Sequence, residues 1–255
     1  MKPGRLILVP NTLDFGIATV QAPLNDLLPQ QTLRAAAGLT HWVVENAKSA
    51  RAFLKRVDAV QPLAQPLQAL QMQELPRAPK GSKEGVPAQA WSLLLTPLRA
   101  GQDLGLLSEA GLPAVADPGS QLVAAAHREG FEVHTLAGAS SLLLALAASG
   151  LQGQSFAFVG YLPQDGAQRL ARIRELEQRS KREQQTQLAI ETPYRNPALL
   201  DALLQGLQAQ TLLSVSRSLS TPEAWTRTAR VADWKRQPSS LPSDQPAIFS
   251  WLASG

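Results

Sequence analysis

The segment LSEAGLPAVADPGSQLV, residues 107–123, decides how the chain is interpreted, because it joins a buried strand to a helix. The apolar run DLGLL precedes it, and the helix-like run SQLVAAAHREG begins within it. Asp117 is predicted to cap this helix, with Pro118 at its first position. Gly111 and Pro113 allow the backbone to approach a ligand without side-chain bulk. The segment contains no obvious nucleophile, and its glycines and prolines are its most distinctive feature.

The composition is that of an ordinary globular protein with one large or two small domains. The chain has 255 residues and a hydrophobic fraction of 44%. Its apolar runs are shorter than the roughly 18 residues that a membrane span requires, and its N-terminus is predicted to be a strand. Cysteine is absent, which excludes disulfides and thiolate metal sites. We therefore expect a cytoplasmic protein without a membrane segment.

Histidine and charge give weaker indications. The three histidines, His41, His127 and His134, lack the spacing of metal ligands, so no metal site is predicted. The net charge of +4 and the isoelectric point of about 9.7 permit a polyanionic partner such as RNA without requiring one. The helix predicted at 166–185 interleaves arginines with glutamates, which favours a solvated, ion-paired face over a nucleic-acid surface.

The first half of the chain alternates between strand and helix patterns, which predicts an α/β fold. Strands are predicted at 5–9, 41–45, 103–108 and 131–136, and helices near 23–37, 48–57, 90–99 and 119–129. The runs RLILV and HWVVE are apolar almost throughout, as is typical of parallel strands covered on both faces. Residues 61–89 are rich in proline and glutamine and are predicted to be a long exposed loop, either a linker or an active-site lid.

The second half changes pattern. SLLLALAASG is apolar on all sides and is predicted to be a buried helix. The runs TLLSVSRSL, AWTRTARV and PAIFSWLA have little helix between them, which predicts antiparallel neighbours. We therefore expect an N-terminal α/β domain at 1–116 with a mostly parallel sheet. A C-terminal α/β domain with a mixed sheet is expected at 117–255.

Ligands of open α/β sheets bind beyond the carboxyl ends of strands, so the loops there are the candidate site. They are predicted at 10–16, 45–49, 108–117, 137–141, 160–163, 191–196 and 217–221. In the loop at 137–141, Ser140 and Ser141 either cap a helix or hold a carboxylate, and both interpretations stay open. The loop at 191–196 combines a carboxylate, a hydroxyl, an aromatic ring and a guanidinium, which is dense for a solvated loop.

Six motifs, in order along most of the chain, resemble the tetrapyrrole-methylase-type family of S-adenosylmethionine (SAM) methyltransferases. They resemble most its branch of small-subunit ribosomal RNA cytidine 2′-O-methyltransferases. LSEAGLPAVADPGSQLV is similar to that branch's Asp-Ala-Gly-x-Pro and Asp-Pro-Gly signature. The other five are VENAKSARAFL, LAGASSLLLALAASGL, FVGYLP, IETPYRNP and SRSLST.

The resemblance implies a two-lobed class III methyltransferase fold with SAM between the lobes. It also implies a homodimer, with ribosomal RNA or the small ribosomal subunit as partner. The implied cofactor-binding residues are Pro10, Ala110, Gly111, Leu112, Val115, Asp117, Ser140, Ser141, Tyr161, Leu162, Thr192 and Pro193. The candidate catalytic groups are Glu45, Glu191, Arg195 and Arg217. A sulfonium carries its own activation, so aligning the acceptor and excluding water become the protein's main tasks.

The departures from the branch concern the acceptor side. The usual Pro-Thr-Pro-Ile-Gly-Asn loop is VPNTLDFG here, and the acidic-arginine pair is Glu45–Asn46, with basic residues displaced to Lys48 and Arg51. The turn proline before Gly138 is Ala137. Three possibilities stay open at this point: ribose methylation of ribosomal RNA, methylation of a small molecule such as a tetrapyrrole, and SAM binding without catalysis.

Overall fold

The computed structural model describes residues 2–14, 22–78, 85–237 and 239–253 of the chain. Helices and strands alternate along it, and the predicted α/β class is confirmed. The chain divides into two compact units, Met1–Ser140 and Ser141–Gly255, which are called unit 1 and unit 2 below. Each unit has its own five-stranded sheet. Within the described residues, no helix is both long and apolar enough to span a bilayer.

Unit 1 has a parallel sheet with strand order β3-β2-β4-β1-β5. Its strands are β1 (Leu6–Val9), β2 (His41–Val44), β3 (Gln71–Glu74), β4 (Leu104–Leu107) and β5 (Val133–Thr135). Its helices are α1 (Leu24–Leu27), α2 (Gln30–Gly38), α3 (Ala47–Val60), α4 (Ala88–Leu94), α5 (Thr96–Arg99) and α6 (Ser120–Arg128).

The apolar runs of unit 1 form the centre of its sheet, as predicted. β1 and β4 are buried along their whole length, and β2 is buried from Trp42 onwards. Helices cover both faces of the sheet and form one apolar cluster on each side. Gly105 lies against the Trp42 ring, which a Cβ at that position would approach to 2.6 Å. The packing therefore explains why this central strand carries a glycine.

The prediction of one long loop at 61–89 is wrong, because the region contains β3 and a 3-10 turn at Leu67–Ala69. β3 has the sequence QMQE and pairs with β2 at the edge of the sheet. Its side chains are mostly exposed, so the strand lacks the apolar pattern on which sequence prediction depends. Residues 79–84, which belong to the same predicted loop, lie outside the described residues.

Unit 2 has a mixed sheet with strand order β6-β7-β10-β8-β9, in which β6 and β7 pair in parallel and the other neighbours are antiparallel. The predicted mixed sheet and antiparallel neighbours are therefore confirmed. Its strands are β6 (Phe156–Tyr161), β7 (Thr186–Ile190), β8 (Leu212–Arg217), β9 (Trp225–Arg230) and β10 (Ala247–Leu252). Its helices are α7 (Ser141–Ser149), α8 (Gly166–Glu183), α9 (Asn196–Gly206) and α10 (Val231–Arg236).

Two sequence-based expectations differ from this architecture. The division between the units follows Ser140, whereas the expected boundary followed Ala116, because β5 pairs with β1 and keeps α6 in unit 1. Helix α7 is not buried on all sides: Leu143 and Leu144 are 53% and 39% exposed. Its other face packs on sheet residues of unit 2. An evenly apolar helix therefore gave no information about which face packs.

Candidate functional site

The carboxyl ends of the unit 1 strands meet at one edge of the sheet, because all five strands are parallel. We call edge A the loops at 10–14, 45–46, 108–119 and 136–140. The loop after β5 contacts the loop after β1, since a Cβ at Gly138 would lie 2.3 Å from Pro10. Gly111 lies near both Leu13 and the Ala139 carbonyl. Four segments that are distant in sequence thus converge here.

Asn11 links two of these loops and was not singled out from the sequence. Its side-chain amide donates to the carbonyls of Ser108 and Glu109, each at 3.0 Å. Its backbone N–H donates to the Gly111 carbonyl at 2.9 Å. The residue is 5% exposed, so these bonds satisfy a buried amide and fix the start of the 108–119 loop. A polar residue two positions after a buried strand was the signal that could have identified it.

An ion pair also anchors the loop after β1. Asp14 accepts from the Arg56 guanidinium at 3.0 Å and from the Thr12 hydroxyl at 2.7 Å. The Asp14 side chain is 5% exposed, and the guanidinium also donates to the Ala22 carbonyl. The pair attaches the loop to helix α3. Residues 15 and 16, which complete the predicted loop at 10–16, lie outside the described residues.

The loop at 108–119 has an unusual backbone. Gly111, Ala114, Ala116 and Gly119 have φ values of 65°, 65°, 64° and 123°. Glycine adopts this region freely, but each alanine there costs about 1 kcal/mol or more. The surrounding contacts hold this strained conformation, which is typical of sites where backbone groups must face a ligand.

The prediction that Asp117 caps α6 is wrong. Helix α6 begins at Ser120, and its N-cap is Gly119, whose positive φ provides the turn into the helix. Asp117 is instead a half-buried carboxyl at edge A. Burial, followed by the nearby Glu45 carboxylate, raises the pKa of Asp117 to about 7, while Ser108 opposes the shift and Glu109 adds to it. An acid that titrates near neutrality is therefore part of this edge.

Glu45 joins the loops after β2 and β4. Its backbone N–H donates to the Leu107 carbonyl, and its carboxylate accepts from the Glu109 N–H at 3.1 Å. The Arg77 guanidinium donates to the Glu45 carbonyl oxygen at 3.2 Å. Edge A thus brings Glu45 close to Asp117. The carboxyl groups of these residues give the edge a negative character.

The predicted cofactor-binding residues of unit 1 all lie in the edge A loops. Pro10 and Gly111 are buried, and Val115 is 44% exposed. The remaining ones are partly buried: Ala110, Leu112, Asp117 and Ser140. Their role in binding remains a prediction.

In unit 2, the ends of β6, β7 and β8 share an edge with the beginnings of β9 and β10. We call edge B the loops at 162–165, 191–195, 218–224 and 239–246, with the strand-end residues that adjoin them. Tyr161 and Leu162 lie at the end of β6; Tyr161 is 58% exposed, whereas Leu162 is buried. Ser141, by contrast, is the first residue of α7.

Glu191 and Arg195, two of the predicted catalytic residues, form an ion pair at edge B. Their charged groups are 3.0 Å apart, and the Glu191 side chain is 3% exposed. The same carboxylate oxygen accepts from the Thr192 N–H at 2.7 Å, and the Thr192 hydroxyl accepts from Arg195 at 3.0 Å. Pro193 begins the 3-10 turn that brings Arg195 back towards Glu191. The density of polar groups in this loop thus arises from a compact internal network.

Arg217 is the third predicted catalytic residue in unit 2, and Gln245 links it to neighbouring polar residues. Its guanidinium donates to the Gln245 side chain at 2.5 Å and lies over the Trp225 ring at 5.4 Å. Gln245 also donates to Glu223 at 2.8 Å, and its carbonyl accepts from Asn196. Gln245 carries no signal of this role in the sequence, because it contacts these groups only after the sheet has formed.

Asn196 has an unusual buried oxygen. The residue is fully buried, and its side-chain amide donates to Gln245 at 2.9 Å. Its Oδ1 atom has no hydrogen-bond partner in the described part of the chain. A buried acceptor of this kind costs free energy unless a donor reaches it.

Comparison with known proteins identifies similar sequences. A family model described as Tetrapyrrole (Corrin/Porphyrin) Methylases matches residues 36–233, more than half of the chain. A protein named Ribosomal RNA small subunit methyltransferase I from Synechocystis sp. is 36% identical over 141 residues, 54% of this chain and 49% of the relative. The protein of that name from Halalkalibacterium halodurans is 39% identical over 111 residues, 44% of this chain and 37% of the relative. This chain therefore matches about half or less of these relatives' length.

Solved structures share the fold at low sequence identity. The methyltransferase CobJ has a TM-score of 0.56 and 18% identity, with 89% of each chain covered. The cobalamin-synthesis-related protein CobF from Corynebacterium diphtheriae reaches 0.58 at 13% identity, with both chains fully covered. Uroporphyrin-III C-methyltransferase from Thermus thermophilus, solved with S-adenosylhomocysteine, reaches 0.50 at 18% identity and covers 98% of this chain and 97% of that one.

Proposed function

We infer, because this chain belongs to the tetrapyrrole methylase family, that it is a SAM-dependent methyltransferase. The family match over residues 36–233 is the observation that carries this proposal, and it confirms the family indicated by the six motifs. The curated relatives named as methyltransferases of the small-subunit ribosomal RNA support RNA as the acceptor. We propose that the methyl group is transferred to a ribose 2′-hydroxyl.

Edge A suits a cationic ligand such as SAM. Glu45 and Asp117 supply carboxyl groups that complement a sulfonium and an ammonium, and the loop at 108–119 holds four residues at positive φ. Gly111 lets this loop lie close to the loop after β1, since a Cβ there would be only 3.2 Å from Leu13. We assign Pro10, Ala110, Gly111, Leu112, Val115, Asp117 and Ser140 to cofactor binding.

Most residues of unit 2 for which the family resemblance implies cofactor contacts lie at edge B. We assign Ser141, Tyr161, Leu162, Thr192 and Pro193 to cofactor binding.

When bound, SAM supplies a methyl group already activated by its sulfonium, for transfer by a single in-line displacement. The residues of this chain align the acceptor, exclude water and take up the proton of the hydroxyl. Among the candidates, Glu45 best fits the role of base, since one of its carboxylate oxygens has no hydrogen-bond donor in the described ranges. Glu191 holds Arg195 in place, and Arg195 and Arg217 are candidates for polarising the acceptor.

The test is incubation of the purified protein with labelled SAM and unmethylated small-subunit ribosomal RNA, free or as assembled subunits. We expect label in the RNA and, after nuclease digestion, in a 2′-O-methyl nucleoside. SAM binding without transfer to RNA or subunits would overturn the RNA proposal. Label in a tetrapyrrole supplied in parallel would identify the small-molecule alternative instead.

The proposal includes two further expectations. Methylation of ribosomal RNA requires a location with ribosomes, so we propose the cytoplasm. We also propose a homodimer, as the family resemblance implies, to be tested by sedimentation equilibrium. A mass equal to a single chain at micromolar concentration would contradict the dimer without affecting the enzymatic proposal.

A further inference from the structure

Helix α3 has a basic stripe on its exposed face. Lys48, Arg51 and Lys55 are exposed and follow one another at spacings of three and four residues, which aligns them along one side of the helix. The opposite face is apolar and buried. The positions from Lys48 to Lys55 carry no acidic residue. The stripe therefore concentrates positive charge over about 10 Å of helix.

These cations are not neutralised by neighbours. Within the described ranges, neither lysine side chain has a hydrogen bond or ion pair, and the Arg51 side chain hydrogen-bonds only to the Ala47 carbonyl, at 3.4 Å. Asp58, on the next turn of α3, accepts from the Leu63 N–H. The charge of the stripe is thus available to a partner.

Helix α8 has more arginines than α3, but several of them are paired within the helix. Arg172 pairs with Glu175 at 2.6 Å, and Arg179 and Arg182 both pair with Glu183. Much of its positive charge is therefore neutralised within the helix. The contrast identifies α3 as the stronger site for a polyanion.

The partner must contact side chains of α3, because the N-terminus of the helix is closed to anions. The Ala47 N–H donates to Glu74 at 2.8 Å, and Asn46 accepts from the N–H groups of Lys48 and Ser49. Arg77 adds a fourth cation beside this end, where it contacts the Glu45 carbonyl. The stripe thus leads from exposed helix surface to edge A.

We propose that Lys48, Arg51, Lys55 and Arg77 bind the phosphate backbone of single-stranded RNA and direct the strand towards edge A. This inference rests on the proposed function and names the surface that holds its acceptor. A stacked strand carries a phosphate about every 3.4 Å, so the length of the stripe matches about three phosphates. The carboxyl groups of edge A repel phosphates, and the adjacent cations offset that repulsion.

The experiment compares two triple variants of the full chain with the wild type. The test variant is Lys48→Gln/Arg51→Gln/Lys55→Gln, and the matched control, Arg174→Gln/Arg179→Gln/Lys181→Gln, removes the same charge from α8. A short fluorescent single-stranded RNA is titrated by anisotropy at several salt concentrations. Urea midpoints and calorimetric SAM titrations establish that both variants fold and keep the cofactor site.

We expect the slope of log Kd against log salt concentration to fall by about 2 in the test variant, because each lost phosphate contact removes about 0.7. Its Kd at moderate salt should rise tenfold or more, while the control stays close to the wild type. Equal slopes in the wild type and test variant would overturn the inference, as would a larger loss in the control. Anionic lipid vesicles are titrated in parallel. If the test variant loses binding to the vesicles but not to RNA, the inference is also overturned.

The proposed function fails in a different way. If the test variant loses RNA binding as expected but the wild type transfers no methyl group to ribosomal RNA, the proposed function is rejected and the proposed RNA-binding surface is kept. Methyl transfer that is unchanged in KM and kcat by the triple substitution would keep the function and reject the surface.

Discussion

At the scale of single residues, Asp117 shows how local sequence rules and tertiary structure can disagree. An aspartate before Pro-Gly satisfies every local rule for a helix cap, yet Gly119 caps α6 and Asp117 is near Glu45. The local rule considers only the backbone that follows the residue. Contacts with the loop after β2, about 70 residues earlier, determined its environment.

The raised pKa of Asp117 predicts a pH-dependent stability. Because its pKa moves from 3.8 to about 7, the folded protein holds a proton between these values that the unfolded chain has released. This contribution stabilises the fold at acidic pH and is lost as the pH rises through about 7. Replacement by asparagine removes the titration. From about pH 5 to about pH 8, the variant should gain about 1–2 kcal/mol relative to the wild type.

Urea unfolding of both proteins at the two pH values measures this difference. Asp201→Asn, an exposed carboxylate on α9, is the matched control for loss of one acidic group. A difference between wild type and Asp117→Asn that does not vary with pH would contradict the prediction.

Gly138→Ala tests the contact between the loops after β5 and β1. A Cβ at this position would lie 2.3 Å from Pro10 Cγ and 2.4 Å from its Cβ, so one loop must shift. We expect a loss of about 1–3 kcal/mol in the free energy of unfolding, measured by urea denaturation. Gly153→Ala is the control, because nothing lies within 4 Å of its Cβ. Equal stability of the two variants would show that the loops yield without cost.

At the scale of elements, the strands were predictable where burial imposed a pattern. β1, β2 and β4 have apolar runs because helices cover both faces of their sheet. β3 was missed, since an edge strand with exposed side chains can have the polar sequence QMQE. The candidate site likewise has a part that the sequence predicts and a part that depends on tertiary structure. Its loops could be located from the strand ends, but bonds such as those of Asn11 and Gln245 depend on strand order.

The start of α3 is predicted to depend on Asn46. Its side chain accepts from the Lys48 and Ser49 N–H groups, and Asn46→Ala leaves both without this partner. We expect a loss of about 0.5–2 kcal/mol in the free energy of unfolding, while Asn46→Ser retains most of the cap. Thermal and urea denaturation of the two variants provide the comparison. A negligible loss in both would contradict this prediction and would mean that Glu74, which binds the Ala47 N–H, is sufficient for this helix start.

At the scale of the whole molecule, the unit boundary followed strand pairing rather than composition. The change in sequence pattern near 116–117 accompanies the strained loop, but the chain returns through α6 to place β5 beside β1. A parallel strand needs such a crossover before it can pair. The sequence pattern is interrupted at this loop, whereas the pairing of the strands determines the boundary between the units.

The distribution of charge over the molecule predicts how its proposed activity responds to salt. The net charge is only +4, and α8 neutralises much of its own charge, so RNA binding should depend on the few free cations of α3. With about three phosphate contacts, raising the salt concentration from about 50 to about 200 mM should increase KM for RNA roughly tenfold or more. Once RNA is bound, alignment of the acceptor is unaffected, so kcat should stay within about twofold. Steady-state methylation of an RNA substrate at saturating SAM measures both constants. A fall in kcat at constant KM would place the salt-sensitive step in catalysis and contradict the prediction that salt weakens RNA binding.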